Sequence, residues 1–538
     1  MSKTASPQIT AYGTTRLAMS RRFRDGLLLF CAVVLLLLGV AVIVFRFFPH
    51  FGEDDAYITF RYARNLIDGH GLVYNPGERV EGYSSLLHVL LVSPAFLALS
   101  DEQVYFYVLL LNAIGSIAAM FVFCRIVSRH VAGTLLIPAA FLFAMMPSLW
   151  RYVWSGLESP LVLLLQLIVW GAVLEIHREA KKRHVWVLCA ASALLVLGRA
   201  DGFIVPGLAF LYLLLIRKPR AAAWCAIAAG LTFAAQVAFR YAYYGYPLPN
   251  TYYVKVGGTF WQRFGFAMPH FRHLARTRRF NLHLFTLVFV LFVQVGRWAL
   301  KRERLRDVLS FGPLLAIGLV VYWFYIGGDV LGERFLLILF PLGIFAALKL
   351  LRLSESGLIP RVWLLVVITA IQGGPALGLA RNALKGGYAK IDGYKELGRY
   401  LRTHESGKVL ACDALGKIGY YSRLPVIDML GLCDVHIAHT EIKEIEGVEF
   451  MPGHSKFDPE YVLGRKPDLI AARVHPSLDL AWRMDRRLYE AAGYRIKYLA
   501  HLRLFGVIDV SDLSEEQIVN RITSANFNWA VLERAGPG

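Results

Sequence analysis

The chain has 538 residues, of which 56% are hydrophobic, 13% aromatic and 18% charged, with a mean hydropathy of +0.48. That is too apolar for a soluble protein of this size and excludes a soluble enzyme. Lys and Arg number 58 against 39 Asp and Glu, a formal net charge of +19, and this excess has to lie in the loops, where it orients the chain. Six cysteines, four of them (Cys31, Cys124, Cys189, Cys225) inside apolar runs, show neither a disulfide framework nor metal-ligand spacing.

A bilayer core about 30 Å thick takes roughly 20 apolar residues in a helix, and twelve runs approach that length. The first, Gly26 to Phe48, follows Lys3, Arg16, Arg21, Arg22 and Arg24 and lacks a signal-peptide cleavage site. Residues 1–25 therefore read as a cytoplasmic N-terminus ahead of a retained span. Later basic loops (Arg125/Arg129, Arg178 to Arg183, Arg217 to Arg220, Lys301 to Arg306, Lys349 to Arg361) all stay inside if spans run near 104–124, 131–149, 157–177, 185–198, 203–216, 222–241, 281–298, 309–326, 335–352 and 360–380. With the first, that makes eleven spans. The remaining run, Ser84 to Leu99, has only sixteen residues, and a full crossing would invert every later loop, so it is expected to be re-entrant or half-crossing. An odd count puts the chain after about 385 on the far side, in the periplasm or its equivalent. One loop, 242–280, breaks the charge rule: it carries Lys255, Arg263, Arg272, Arg276, Arg278 and Arg279 without an acid, and so either flanks lipid phosphates or binds an anionic ligand.

The expected architecture is a polytopic helical membrane domain over 26–385, with a first outer loop at 49–84, and a soluble α/β domain over 386–538. The latter rests on strand-like runs at Lys408 to Asp413, Leu424 to Leu430 and Asp468 to Arg473 between charged helical stretches. No internal repeat appears. The related halves usual in a secondary transporter are missing from the sequence.

The polar clusters out of place for a plain bundle all fall on the outer side. The first loop opens with Glu53-Asp54-Asp55-Ala56-Tyr57 and closes with Asn75 to Ser85, including Glu81. Adjacent carboxylates directly after a span suit a general base or a divalent-cation site; an Asp helix cap explains one of them, but not three acids in a row. Glu158 stands at the entry of a span. Arg199 and Asp201 sit between two short spans, either as a turn with snorkelling charges or, for Arg199, as a phosphate ligand. The stretch Tyr244 to Gly258, with Asn250, Tyr252 and Lys255, suits sugar stacking or an interfacial aromatic belt. Gly327-Gly328-Asp329 is a two-glycine turn. In the tail, Asp413, Tyr420-Tyr421 and Asp428 to Asp434 read mostly as turns and caps, whereas the Gly453-His454-Ser455-Lys456 loop could fold over the Asp pair.

These segments resemble the GT-C superfamily of membrane glycosyltransferases, in particular the terminal arabinofuranosyltransferases of mycobacterial and corynebacterial cell-wall synthesis. The matching stretches are Asp54 to Tyr57 with Asn75 to Tyr83, Ser155 to Glu158, Pro249 to Gly258, Gly327 to Asp329, Asp428 to Asp434 and Gly453-His454. The resemblance implies inverting transfer from a polyprenyl-phosphate-linked sugar, without a nucleotide sugar. It also implies an acidic first outer loop as base and a C-terminal periplasmic domain that helps bind a glycan, lipid or protein acceptor. Arabinofuranose is the implied sugar, with mannose or another hexose as the alternative and a lipid or solute transporter as the competing class. No nucleic-acid partner is implied.

Sugar transfer needs a base for the acceptor hydroxyl and cations for the departing phosphate. Asp54 is the expected base, with Asp55 its orienter or a ligand to a divalent cation. Arg199 and Lys255 are the expected phosphate partners. Tyr57, Glu81, Glu158, Asp201, Asn250, Tyr252, Asp329 and His454 are the expected sugar or acceptor contacts.

Overall fold

The computed structural model describes residues 21–47, 50–276, 278–300, 310–353, 377–378, 381, 391–444, 450–503 and 506–535. Helices dominate as far as residue 353. In chain order they are α1 (Arg21–Phe47), α2 (Asp54–Ile67), α3 (Leu86–Val92), α4 (Val104–His130), α5 (Leu136–Ala144), α6 (Pro147–Ser155), α7 (Ser159–Arg178), α8 (Lys182–Gly198), α9 (Ile204–Leu215), α10 (Pro219–Tyr244), α11 (Asn250–Lys255), α12 (Phe260–Arg276), α13 (Arg278–Leu300), α14 (Phe311–Tyr325) and α15 (Leu339–Leu353). Local chemistry sets several ends. Proline opens α6 and α10, where its missing N–H costs nothing, and Gly156 and Gly245 close them at φ +77° and +81°.

Among the described residues four helices, Asp25–Phe47, Val104–His130, Ser159–Arg178 and Pro219–Tyr244, are long and apolar enough to cross a membrane. The pair Gly133–Ala144 and Pro147–Ser155, bent by 54°, makes a fifth if it is one broken span. The expected count of eleven is not reached among the described residues. The runs at 203–216 and 309–326 fold as helices of 12 and 15 residues. At 17 residues, α8 reaches only about 25 Å at 1.5 Å per residue. The run at 360–380 lies almost wholly outside the described residues. The Ser84 to Leu99 run becomes α3 followed by a 3-10 turn at Ser93–Leu97, too short to cross.

Beyond residue 390, α16 (Gly393–His404) and α17 (Leu415–Ser422) accompany a six-stranded sheet: β1 (Leu410–Cys412), β2 (Val426–Asp428), β3 (Leu469–Arg473), β4 (Tyr494–His501), β5 (Gly506–Asp509) and β6 (Trp529–Arg534). The order is β2-β1-β3-β6-β4-β5, with β2, β1 and β3 parallel and the remaining pairings antiparallel. Period-two alternation divides the side chains. Leu410, Cys412, Leu469 and Ala471 join the core shared with the helices, while Ala411, Ile470 and Ala472 pack with Met484, Tyr489 and Ile522 on the other face.

The first loop is welded to this sheet domain. Arg61, buried on α2, donates from Nε to the Tyr74 carbonyl (2.8 Å), from Nη1 to Gly419 (2.7 Å) and from Nη2 to Leu424 (2.7 Å). Asn75 pairs with Val426 like a neighbouring strand: its Nδ2 donates to the Val426 carbonyl (2.7 Å) and its Oδ1 accepts from the Val426 N–H (3.0 Å). Tyr74 donates its hydroxyl to the Leu415 carbonyl (2.6 Å).

Candidate active site

The first turn of α2 meets the first turn of α17. Asp54 accepts from the Lys417 N–H at Oδ1 (2.7 Å) and from the Gly416 N–H at Oδ2 (3.0 Å). Loss of water pushes its pKa up to about 6; the backbone N–H of Lys417 pulls it down, and the charge of Asp55 pushes it up. Only glycine fits at 416, since a Cβ there would stand 2.0 Å from the Asp54 carbonyl oxygen and 2.5 Å from Oδ2. Asp55, the next residue, faces a cavity together with Lys255 and His454. Burial holds the Lys255 ammonium below its usual pKa, as does Arg334, while Asp55 and Asp329 pull the other way. Burial also lowers the pKa of His454, whose Nδ1 donates to the Pro452 carbonyl at 3.2 Å.

Asp54 and Tyr394 line two cavities at once. The first, of about 580 Å³, sits at the end of α1: Ile43, Phe47 and Trp154 give it an apolar wall, and Glu53, Arg151, Glu333, Lys417 and Arg503 a polar one with charges of both signs. The second, of about 970 Å³, opens onto the carboxyl ends of the parallel strands, where Asp413 follows β1 and Arg473 ends β3. That edge is where open parallel sheets place their ligands. Asp413 accepts from Trp482 Nε1 at Oδ2 (2.6 Å), and its Oδ1 is buried without a hydrogen-bond partner. Burial pushes the Asp413 pKa up to about 6, the Trp482 bond opposing and Asp54 adding to the rise.

Of the residues expected from the sequence, Asp54, Asp55, Lys255 and His454 come together at the second cavity. Others are committed elsewhere. Tyr57 is fully buried, its hydroxyl donating to the Phe51 carbonyl (2.8 Å), so no ring face is left for a sugar. Asn250 Nδ2 is spent on the carbonyls of Gly431 (2.6 Å), Leu432 and Asp434. Glu81 is buried against Arg240, with Nε to Oε2 at 2.8 Å. Arg199 is held by Glu158 and Asp201, both at 2.8 Å, with its guanidinium 4.1 Å above the Phe335 ring; its charge is already countered, and it does not line either large cavity. Asp329 pairs with Arg334 at 2.6 Å. Tyr252, 36% exposed, lies outside both cavities.

Sequence reasoning passed over Trp482, Arg473 and Lys417 and left Asp413 as an ordinary turn residue. The local signal for Asp413 and Arg473 was their place at the end of a strand-like run; Lys417 and Trp482 had none. Among the described residues no group of three or more His, Cys, Asp or Glu is disposed to hold an ion, and both Asp54 oxygens already accept N–H bonds.

Residues 384–520 match DUF8728, a family described as a domain of unknown function. Over 328 residues the chain is 26% identical to the terminal beta-(1->2)-arabinofuranosyltransferase of Mycobacterium tuberculosis, which covers 55% of this chain and 52% of that protein. The chain thus spans about half the length of this curated relative. In structure it is similar to the oligosaccharyltransferase of Archaeoglobus fulgidus tethered to an acceptor peptide (TM-score 0.58, 12% identity, 91% of this chain and 74% of that one). It is also similar to ArnT of Cupriavidus metallidurans bound to undecaprenyl phosphate (TM-score 0.52, 13% identity, 96% of this chain and 100% of that one). The chain has the fold of the GT-C membrane enzymes, and its sequence likeness within that fold is to an arabinofuranosyltransferase.

Proposed function

We propose that the protein is an inverting glycosyltransferase that moves a sugar, arabinofuranose first, from a polyprenyl-phosphate donor to a glycan, glycolipid or glycoprotein acceptor at the outer face of the bacterial cytoplasmic membrane, with residues 386–538 in the periplasm. The observation that carries this reading is Asp54: a carboxylate with a pKa pushed up to about 6, on the shared wall of one cavity that abuts a spanning helix and another that opens onto a sheet edge. The names of the relatives point the same way, since one is an arabinofuranosyltransferase and another was seen with undecaprenyl phosphate.

In the reaction, the acceptor hydroxyl gives its proton to Asp54 as its oxygen bonds to the anomeric carbon. The carbon–oxygen bond to phosphate breaks with its electron pair leaving on the polyprenyl phosphate. The two backbone N–H bonds from α17 aim the carboxylate and keep it ionised near neutral pH in spite of burial. Lys255, across the acidic pair, supplies charge for the departing phosphate, and the apolar wall at Ile43 and Phe47 takes the prenyl chain. The test is single-turnover transfer in nanodiscs from a panel of polyprenyl-phosphate pentoses and hexoses. Asp54→Asn keeps shape but cannot take a proton, and should lose at least about a hundredfold. Near-normal transfer by that variant, or no transfer from any donor by the wild type, overturns the reading; preference for a hexose replaces arabinofuranose.

A further inference from the structure

The segment between β3 and residue 485 is built unlike the loops around it. Leu478, Trp482 and Arg483 all hold positive φ (67°, 67° and 56°), a conformation that side-chain-bearing residues adopt only when the surroundings impose it. The surroundings do so: Val474 bridges to Leu480 and Leu480 to Met484, and Leu478, Leu480 and Met484 are buried as anchors. The outcome is that Trp482, half-buried, lines the second cavity with its Nε1–H bonded to Asp413. His454 and Phe457 flank the ring at 5.8 and 6.0 Å between centroids.

The polar groups beside it are ready for a ligand. Asp413 is 9% exposed, and its Oδ1 has no partner. Arg473 and His475 line the same wall and make no side-chain hydrogen bond among the described residues. Charges of both signs alternate there, with Arg473 and Arg483 against Asp479 and Asp485, so the wall favours neither a polyanion nor a polycation. An aromatic face with hydroxyl acceptors and donors at its edge matches a ring that is apolar on its faces and polar at its rim.

We propose that this hairpin is an acceptor subsite for a neutral oligosaccharide, with one sugar ring stacked on Trp482 and its hydroxyls reaching Asp413, Arg473 and His475. The proposal rests on the transferase reading, since it names the acceptor as an uncharged glycan. At about 970 Å³ the cavity is near the upper end of small-molecule sites and holds more than one ring.

The test is direct binding of a neutral tetrasaccharide of pentofuranose units to the full-length protein in nanodiscs, followed by ligand-observed saturation-transfer NMR, with no donor present. Trp482→Ala should weaken binding by about tenfold or more, and Trp482→Phe, which keeps a ring face, by much less. Arg473→Ala, at an exposed side chain, should weaken it a few-fold and guards against a folding defect. Equal binding by wild type and Trp482→Ala, no binding by the wild type, or tighter binding of a uronate-rich polyanion overturns the subsite. Failure of the transferase reading looks different: no transfer from any polyprenyl-phosphate sugar, with tetrasaccharide binding and its Trp482 dependence intact.

Discussion

Gly416→Ala perturbs the base without replacing it. The added Cβ would lie 2.0 Å from the backbone oxygen of Asp54 and 2.5 Å from Oδ2, and a backbone oxygen cannot swing aside, so the first turn of α17 has to recede. The bonds lost or stretched are those from the Gly416 and Lys417 N–H groups at 3.0 and 2.7 Å. A hydrogen bond to a charged group is worth about 1.5–3 kcal/mol, and one pKa unit corresponds to about 1.4 kcal/mol. Losing one of the two therefore raises the Asp54 pKa by about one unit or more. The sign follows: the base must be ionised, its pKa in the wild type is about 6, and weakening bonds to the ionised form moves it further up. The acid limb of the single-turnover pH profile should shift from about 6 to about 7 or above. At pH 7 the ionised fraction would fall from about nine-tenths to about half, before any loss from misaiming. The assay is the pH dependence of transfer from a polyprenyl-phosphate sugar at saturating acceptor. A limb that stays near 6 in a variant with unaltered turnover would refute the idea that α17 sets the ionisation of Asp54.

Three other outcomes are expected. Lys255→Ala should cost about 2–4 kcal/mol of transition-state stabilisation, as loss of one preorganised donor does elsewhere; a kcat within a factor of two of wild type would remove it from the phosphate site. Arg199→Ala leaves Glu158 and Asp201 without their shared cation and should lower thermal stability by about 3–5 kcal/mol, read by unfolding in detergent, whereas a stable but inactive variant would return Arg199 to the chemistry. Cysteines placed singly at Arg217 and at Arg423 in a cysteine-free background should label from the cytoplasm and from the periplasm respectively, and labelling of both from one side would contradict the proposed orientation.

What was legible in the sequence follows from how far each signal reaches along the chain. The acidic pair stood out because three acids after an apolar run conflict with membrane insertion, and Lys255 and His454 because a lone cation and a lone imidazole break tracts of other character. Trp482 and Asp413 were not legible as a site: 69 residues separate them, and each alone looks like a turn residue. Tyr57 and Asn250 misled in the opposite way, because the groups that suit a sugar suit buried backbone equally well, and here backbone carbonyls claimed them. Span counting by hydropathy ignores helix geometry. The run at 131–149 carries enough apolar residues for a span, yet Pro147 starts a new helix at 54° to the last.

The bonds of Arg61 and Asn75 also set an order of events during synthesis. Their partners Gly419, Leu424 and Val426 lie 358, 363 and 351 residues downstream, which is roughly 20–70 s of elongation at 5–20 residues per second. Through that interval the Arg61 guanidinium can meet only the nearby Tyr74 carbonyl and Asn75 side chain, and the donors destined for Gly419 and Leu424 must stay in water. Meanwhile β2, when it arrives, has an open edge until Asn75 closes it, and an open edge invites pairing with another chain. The last third of the polypeptide therefore completes a loop made in the first sixth. A chain released before residue 426 would reach the membrane with its first loop lacking these partners, and the sheet domain expressed without residues 50–84 would carry an exposed strand edge into solution.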